Sequence, residues 1–305
     1  MNRLALALSV LGAIAAQGQD QPYKRTLVPR PEGQPMLCVT WNKRDVTYLL
    51  DAAGSVRTPG DTEFTAIDAA FSSWQSLSDS CSDFHFLRGG RQANVKVGKG
   101  TESTNVVVFR EKNCLDVVPE GDPCQSDATC ANTYGCWDHS DFTIGLTTTT
   151  FSTRTGAIYD ADIELNASNH SDGTYFLFTT ISSPPCEPGK EAVTCVATDV
   201  QNTVTHEVGH FVGFDHVLNV GSTMEPTAPI GETQKRIIDL GTGTGFCGTY
   251  PKGLPPVPCD ELAQTRKRIV ASGAGTPGLS AIGCDVTEAW PLAWLAALAL
   301  RRRRR

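Results

Sequence analysis

The sequence predicts an α+β domain that occupies most of the chain. Short runs rich in β-branched residues, such as 105–110 and 142–150, are typical of strands. Two longer segments, 61–78 and 199–213, repeat apolar side chains at helical spacing. A chain of 305 residues is long enough to bury a sizeable core built from both kinds of element.

The predicted elements run as strand, helix, several strands, a second helix and a short third helix. The strands are expected at residues 36–50, 84–87, 94–98, 105–110, 142–150 and 158–165. The helices are expected at 61–78, capped by Asp61 or Thr62, at 199–213, capped by Asp199, and at 232–240. A flexible glycine-rich turn is expected at 241–245, and no internal repeat is visible.

Eleven cysteines indicate a disulfide framework. Ten of them lie between Cys38 and Cys259 and are enough for five bridges, which would leave Cys284 over. Four fall in 111–140 and two in 182–197, so these segments are expected to be disulfide-tied loop insertions. The connectivity does not follow from the sequence.

The chain begins with features of a secreted protein. A basic start and an apolar run predict a signal peptide over 1–18, with a buried N-terminal helix as the alternative. A polar, proline-bearing arm, expected to be flexible, follows over 19–35. The net charge is −7 although five of the basic residues are the terminal arginines, so the body is strongly acidic, which argues against nucleic-acid binding.

One short window holds half of the chain's six histidines. His206, His210 and His216 stand in the pattern H-E-x-x-H-x-x-G-x-x-H. Residues four apart share a helix face, and Gly213 allows the left-handed turn that brings the third histidine back. Catalytic Zn²⁺ takes three protein ligands and keeps one position for water. Glu207 is then placed to serve as general base towards that water.

A methionine follows the third histidine closely. Met224 lies in the segment Gly-Ser-Thr-Met-Glu-Pro, residues 221–226. With the three histidines, it makes the chain resemble the metzincin clan of zinc metalloproteases, in which a tight turn puts a methionine below the zinc-binding imidazoles. The Met-x-Pro form is most similar to the matrixin family. Pro226 stands where astacins and serralysins carry a tyrosine, so no tyrosine ligand is expected.

The resemblance implies a fold for residues 36–259. It implies a twisted, mixed five-stranded sheet with one antiparallel edge strand lining the cleft, a zinc helix, a methionine turn and a C-terminal helix. In matrixins, acidic residues near the lower strands bind structural calcium. Asp160 and Asp162 fall there and alternate on one strand face, which suits Ca²⁺; solvated strand carboxylates are the alternative interpretation.

These residues predict a zinc-dependent endopeptidase. The resemblance implies a polypeptide substrate bound extended along the sheet edge. One alternative is a surface binding or adhesion module that keeps the metal for stability, although a structural site does not need Glu207. Another is a zinc hydrolase of a non-protein substrate such as peptidoglycan.

The C-terminal end predicts a sorting signal. Residues 260–282 have the composition of a linker, and Gly283–Cys284, the apolar stretch 289–300 and five arginines follow. This end is similar to the MYXO-CTERM sorting tail, which implies recognition by a sorting-tail protease and cleavage and lipid attachment near Cys284. Membrane contact is then expected only through 283–305 or its lipid, at a bacterial cell surface or outer membrane. A plain tail anchor and an uncleaved amphipathic end are the alternatives.

Overall fold

The computed structural model describes residues 22–98, 104–257 and 259, together with the backbone of 278–285. The predicted signal peptide, most of the linker over 260–282 and the tail beyond residue 285 lie outside the described residues. No helix within the described ranges is both long and apolar enough to cross a bilayer.

The chain has a mixed α+β fold, as predicted. Its strands are β1 (Lys24–Arg25), β2 (Asp45–Asp51), β3 (His85–Gln92), β4 (Asn105–Arg110), β5 (Thr143–Phe151), β6 (Ile158–Asn166), β7 (Phe178–Thr179), β8 (Thr198–Asp199), β9 (Phe214–Asp215) and β10 (Gly278–Asp285). Its α-helices are α1 (Thr62–Cys81), α2 (Cys114–Val117), α3 (Pro123–Ser126), α4 (Cys130–Tyr134), α5 (Val200–Phe211) and α6 (Leu240–Thr249), and 3-10 turns lie at Pro59–Asp61 and Gln234–Arg236.

Five strands of the predicted domain form one mixed sheet, which confirms the predicted strand number. Their order is β5-β6-β4-β2-β3, with β5 antiparallel to β6 and the other neighbouring strands parallel. A sixth strand, β10, pairs antiparallel with the outer edge of β5. The sequence predicts a linker up to residue 282 and a sorting tail from 283, but the backbone across this boundary is a strand of the sheet.

Two helices and the sheet enclose the main core. Helix α1 buries Phe64, Ile67, Phe71 and Trp74, which recur at helical spacing as predicted. The Trp74 indole N–H donates to the Thr205 carbonyl at 2.9 Å, so α1 fixes the position of α5. Strands β4 and β5 are buried along their whole length, as expected for strands covered on both faces.

The region after the methionine turn differs from the prediction. A three-residue 3-10 turn flanked by loop replaces the helix expected at 232–240, and the glycine-rich segment 241–245 belongs to α6. Its glycines serve close packing: an added Cβ would lie 2.3 Å from the Pro22 carbonyl at Gly241 and 2.4 Å from the Tyr23 ring at Gly245. The strand expected at 94–98 is absent, and these residues form bends.

The N-terminal arm is held by the domain, which corrects the expectation of flexibility for its residues 24–28. Lys24 and Arg25 pair with Asp215 and Phe214, directly before the third histidine. The Lys24 ammonium also lies 2.5 Å from the Asp215 carboxylate. The arm is therefore part of the wall behind the histidine-bearing loop.

Ten cysteines form five disulfides, which confirms the framework. The bridges are Cys38–Cys259, Cys81–Cys247, Cys114–Cys136, Cys124–Cys130 and Cys186–Cys195. The last three close the two predicted loop insertions on themselves. The first two tie Cys38, near the N-terminal arm, and Cys81, at the end of α1, to the end of the domain. Bridges that close such long loops restrain the unfolded chain most.

Strand β6 carries a buried ion pair. The Arg110 guanidinium donates to the Glu164 carboxylate at 2.5 Å, and the His139 ring lies 3.7 Å from the same carboxylate. Burial alone would raise the pKa of Glu164, but hydrogen bonds and charge from His139 and Arg110 hold it below its ordinary range. The stability that this carboxylate contributes is therefore present at neutral pH and is lost as pH falls through its depressed pKa.

We expect Glu164→Gln to lower the free energy of unfolding at pH 7 by about 3–5 kcal/mol, because Arg110 is left charged and buried. Urea unfolding measures this change, and its size should shrink in acid. Glu187→Gln is the control, since its pair with Lys190 is exposed and should leave the midpoint unchanged. Equal midpoints for the two variants would contradict the prediction.

Candidate metal centre

Helix α5 begins and ends on local signals that the sequence carries. The Asp199 carboxylate accepts the Asn202 N–H at 2.7 Å, as predicted for an N-cap. At the other end Gly213 has a φ of +93°, and an added Cβ there would lie 2.6 Å from the Val39 carbonyl. Only glycine fits this turn, which reverses the chain so that His216 returns towards the helix.

The three predicted histidines meet at one point. The Nε2 atoms of His206 and His210 are 3.1 Å apart. The Nε2 atom of His216 lies 3.1 Å from that of His206 and 3.0 Å from that of His210. His206 and His210 are buried, whereas His216 is half-buried, so one side of the cluster is open. Within the described ranges this is the one group of three or more metal-ligand side chains that can share an ion.

The tautomers of the two helix histidines are set by carbonyl groups. His206 Nδ1 lies 2.7 Å from the Thr223 carbonyl, and His210 Nδ1 lies 2.7 Å from the Phe214 carbonyl. A carbonyl only accepts, so each Nδ1 carries the hydrogen and each Nε2 presents a lone pair. Burial, with a smaller contribution from the charge of His216, lowers the pKa of both imidazoles well below the usual value.

This donor set fits a tetrahedral metal ion. Zn–N bonds of about 2.0–2.1 Å place ligand nitrogens roughly 3.3 Å apart, close to the separations observed. Lone pairs of neutral imidazoles that face one another are mutually repulsive, and a cation between them removes the repulsion. Outer carbonyls that fix the ligand rings are the usual surroundings of a zinc-binding histidine.

Met224 packs against helix α5, and glycine makes room for it. Its side chain is fully buried, and a Cβ at Gly209 would lie 2.1 Å from its sulfur. Gly209 falls between the two helix histidines in the sequence, so the methionine reaches the helix on the turn that carries both imidazoles. The sequence motif leaves this position open, and packing decides it.

Asp239 anchors the methionine turn and was not identified from the sequence. Its carboxylate accepts the Thr223 N–H at 2.7 Å and the Thr242 hydroxyl at 2.6 Å. Burial opposes ionisation, but these hydrogen bonds lower the pKa of Asp239 below its ordinary range. The residue caps α6 and, through Thr223, positions the carbonyl that orients His206. An N-cap signal before the glycine-rich helix could have revealed it.

The carboxyl group of Glu207 lies against strand β5. The Thr147 hydroxyl donates to its Oε2 at 2.7 Å, and a Cβ at Gly145 would lie 2.9 Å from its Oε1. Strand β5 therefore approaches α5 closely enough to orient this carboxylate. Neither residue was predicted, because they lie about sixty positions before Glu207 and carry no motif.

A cavity of about 810 Å³ opens at the start of β5. Phe142 and Ile144 line it from the strand, and residues 228–230, which follow the methionine turn, line it from the opposite side. The Lys235 ammonium, itself buried, donates to the Thr227 carbonyl at 2.7 Å and holds that wall in place. The volume of the cavity suits a large side chain or a small molecule.

The predicted calcium position and the predicted processing point both lie in strands of the sheet. Asp160 and Asp162 are fully buried in β6, so the alternative of solvated carboxylates is wrong. Burial and the neighbouring Asp160 raise the pKa of Asp162, although it accepts the Gly98 and Val106 N–H groups. Calcium binding here stays a prediction. The backbone of Cys284 lies in β10 opposite Gly145.

No model of a known protein family matches the chain, and no curated protein matches it either. The geometry of the site is therefore the basis for the proposals that follow.

We expect Gly209→Ala to displace Met224 from beneath the imidazoles. Overpacking at this point should cost about 1–3 kcal/mol of stability and weaken zinc binding by about 10-fold or more, as loss of an outer support does. Urea unfolding and competition with a chromogenic chelator measure the two effects. Gly248→Ala is the matched control, because an added Cβ there meets nothing within 4 Å. Identical behaviour of the two variants would refute the packing argument.

Proposed function

We propose that the chain is a zinc-dependent endopeptidase of the metzincin clan, most similar to matrixins. The observation that carries the proposal is the convergence of three imidazole nitrogens within 3.1 Å, next to a carboxylate on the same helix. His206, His210 and His216 would hold the ion. A purely structural site needs no carboxylate in this place, and Glu207 supports catalysis over a binding module.

Zinc, when bound, supplies a Lewis acid that lowers the pKa of water and polarises a carbonyl group. Glu207 accepts the proton of the attacking water and then delivers it to the leaving amide nitrogen. The Thr147 hydroxyl holds one carboxylate oxygen, which leaves the group oriented for this transfer. Buried His206 and His210 stay neutral, and His216 is the half-buried member of the cluster.

The proposed substrate is an extended polypeptide. Strand β5 passes beside Glu207, and its outer edge, which β10 pairs with in this structure, is the surface that a substrate strand would pair with. The cavity at Phe142 and Ile144 lies at one end of that edge and would receive a substrate side chain. Secretion and surface anchoring through Cys284 remain part of the proposal on the sequence features alone.

We expect Glu207→Gln to keep about one zinc per chain and to lose activity about 10²–10⁴-fold, the value of general-base help. Cleavage of a denatured protein mixture and metal analysis measure the two quantities. A chelator should abolish cleavage by the wild-type chain, and added zinc should restore the cleavage.

Undiminished cleavage by that variant would remove the mechanism, and loss of its zinc would make Glu207 a structural residue. A binding module would cleave nothing in any form. A peptidoglycan hydrolase would release cell-wall fragments from purified sacculi while leaving the protein mixture intact.

We expect Thr147→Val to lower kcat by about 10-fold or more, because a hydrogen bond to a charged group contributes about 1.5–3 kcal/mol. Thr147→Ser retains the hydroxyl and should restore most of the rate. Zinc content should not change in either variant, because the Thr147 hydroxyl bonds to Glu207 and not to one of the three histidines. Equal rates for the valine and serine variants would show that the hydroxyl does not position the carboxylate.

A further inference from the structure

The edge of the sheet beside Glu207 is covered by the chain itself. Strand β10 pairs with β5 over its whole length, from Gly278 opposite Phe151 to Asp285 opposite Thr143. Its backbone also approaches that of α5 within 8 Å. The segment therefore lies in the cleft between the sheet edge and the metal helix, where an incoming peptide strand would pair.

The register places the segment at the reactive carboxylate. Ile282, Gly283 and Cys284 lie opposite Thr147, Leu146 and Gly145. Two of these β5 residues are the ones that border the Glu207 carboxyl group, at Thr147 Oγ1 and at the Cβ position of Gly145. The middle of the cleft is thus the part that the paired segment occupies.

The segment runs along β5 in the direction of the cavity. It runs antiparallel to β5, so its C-terminal end points towards Thr143 and the cavity lined by Phe142 and Ile144. It passes Glu207 first and reaches the cavity afterwards. An exogenous peptide that used the same edge and the same cavity would have to displace it.

We propose that residues 278–285 are an internal ligand of the cleft, and that substrate peptides compete with this segment for the edge of β5. The competition with substrate rests on the proposed function, whereas the pairing of residues 278–285 with β5 does not.

The connection to the domain makes the competition effective. The Cys38–Cys259 disulfide fixes the chain 19 positions before Gly278. Because the segment and the edge of β5 belong to one chain, their pairing is intramolecular and corresponds to an effective concentration on the order of millimolar. A peptide from another molecule must therefore be concentrated or bind more tightly than the segment. Gly283–Cys284, the predicted processing point, also belongs to the paired strand, so cleavage there by another protease requires the strand to leave the sheet.

The test uses the full chain carrying Glu207→Gln, so that hydrolysis plays no part. Ala281→Pro with Ile282→Pro removes two adjacent N–H groups, one of which must face β5, since alternate residues of a strand donate to the same neighbour. Ser272→Pro with Gly273→Pro is the control and places two prolines before the strand. Hydrogen exchange of the amides in Thr143–Phe151 is the readout, with a synthetic peptide of residues 278–285 as the probe.

We expect the outward-facing β5 amides to exchange about 10-fold or more faster in the first proline pair than in its parent, as lost pairing allows. The control pair should match the parent, and millimolar peptide should restore protection in the first pair. Equal exchange in all three proteins would overturn the proposal.

Activity separates this proposal from the proposed function. With Glu207 restored, the first proline pair should lower KM for a peptide substrate by about 10-fold while kcat is unchanged, because only competition is removed. A change in exchange without hydrolysis by any form would sustain the internal ligand and refute the peptidase. Hydrolysis with equal KM and equal exchange in all forms would do the reverse.

Discussion

Two imidazole-to-carbonyl hydrogen bonds determine what this site can be. Because His206 and His210 donate through Nδ1 to the Thr223 and Phe214 carbonyls, their Nε2 lone pairs are directed at one point. If either carbonyl moved, the ring could rotate or change tautomer, and the donor set would fail. The fold around the site can be understood as the means of holding these two carbonyls.

Each carbonyl has its own support. That of Thr223 is fixed by the Asp239 carboxylate, which caps α6 and accepts the Thr223 N–H. That of Phe214 lies in a short strand paired with the N-terminal arm, where the Thr26 hydroxyl also donates to it at 3.0 Å. Segments from the two ends of the domain therefore converge on the same pair of rings. The Cys38–Cys259 and Cys81–Cys247 bridges join neighbouring parts of those ends.

The members of the histidine motif could be predicted from the sequence because they are local. His206, Glu207, His210 and His216 lie within one helical turn and its reversal, so spacing alone fixes their relation. Strand β4 and the cap of α5 were likewise predicted at their observed places, since both depend on short patterns.

Residues that act across the chain could not be found in this way. Thr147 and Gly145 reach Glu207 only because β5 packs against α5, and an isolated threonine or glycine in a strand has many other uses. The glycine-rich segment 241–245 was misjudged for the same reason. Its glycines would indicate flexibility in isolation, but they allow the Pro22 and Tyr23 region to approach α6. Tertiary contact overrides local propensity at such places.

The outer edge of β5 has to be open to an extended peptide and also protected from unwanted strand pairing. An edge strand with unpaired backbone groups is what an extended peptide needs, and it is also a surface prone to pairing with any other strand. Gly145 lets the backbone of β5 approach the Glu207 carboxyl group closely, because it has no side chain. Pairing with β10 satisfies the backbone N–H and C=O groups along the edge of β5. One added strand is enough for this, because it lies beside β5 in the sheet. A strand held by backbone hydrogen bonds can leave as a unit, so the arrangement that protects the edge can also be exchanged for substrate.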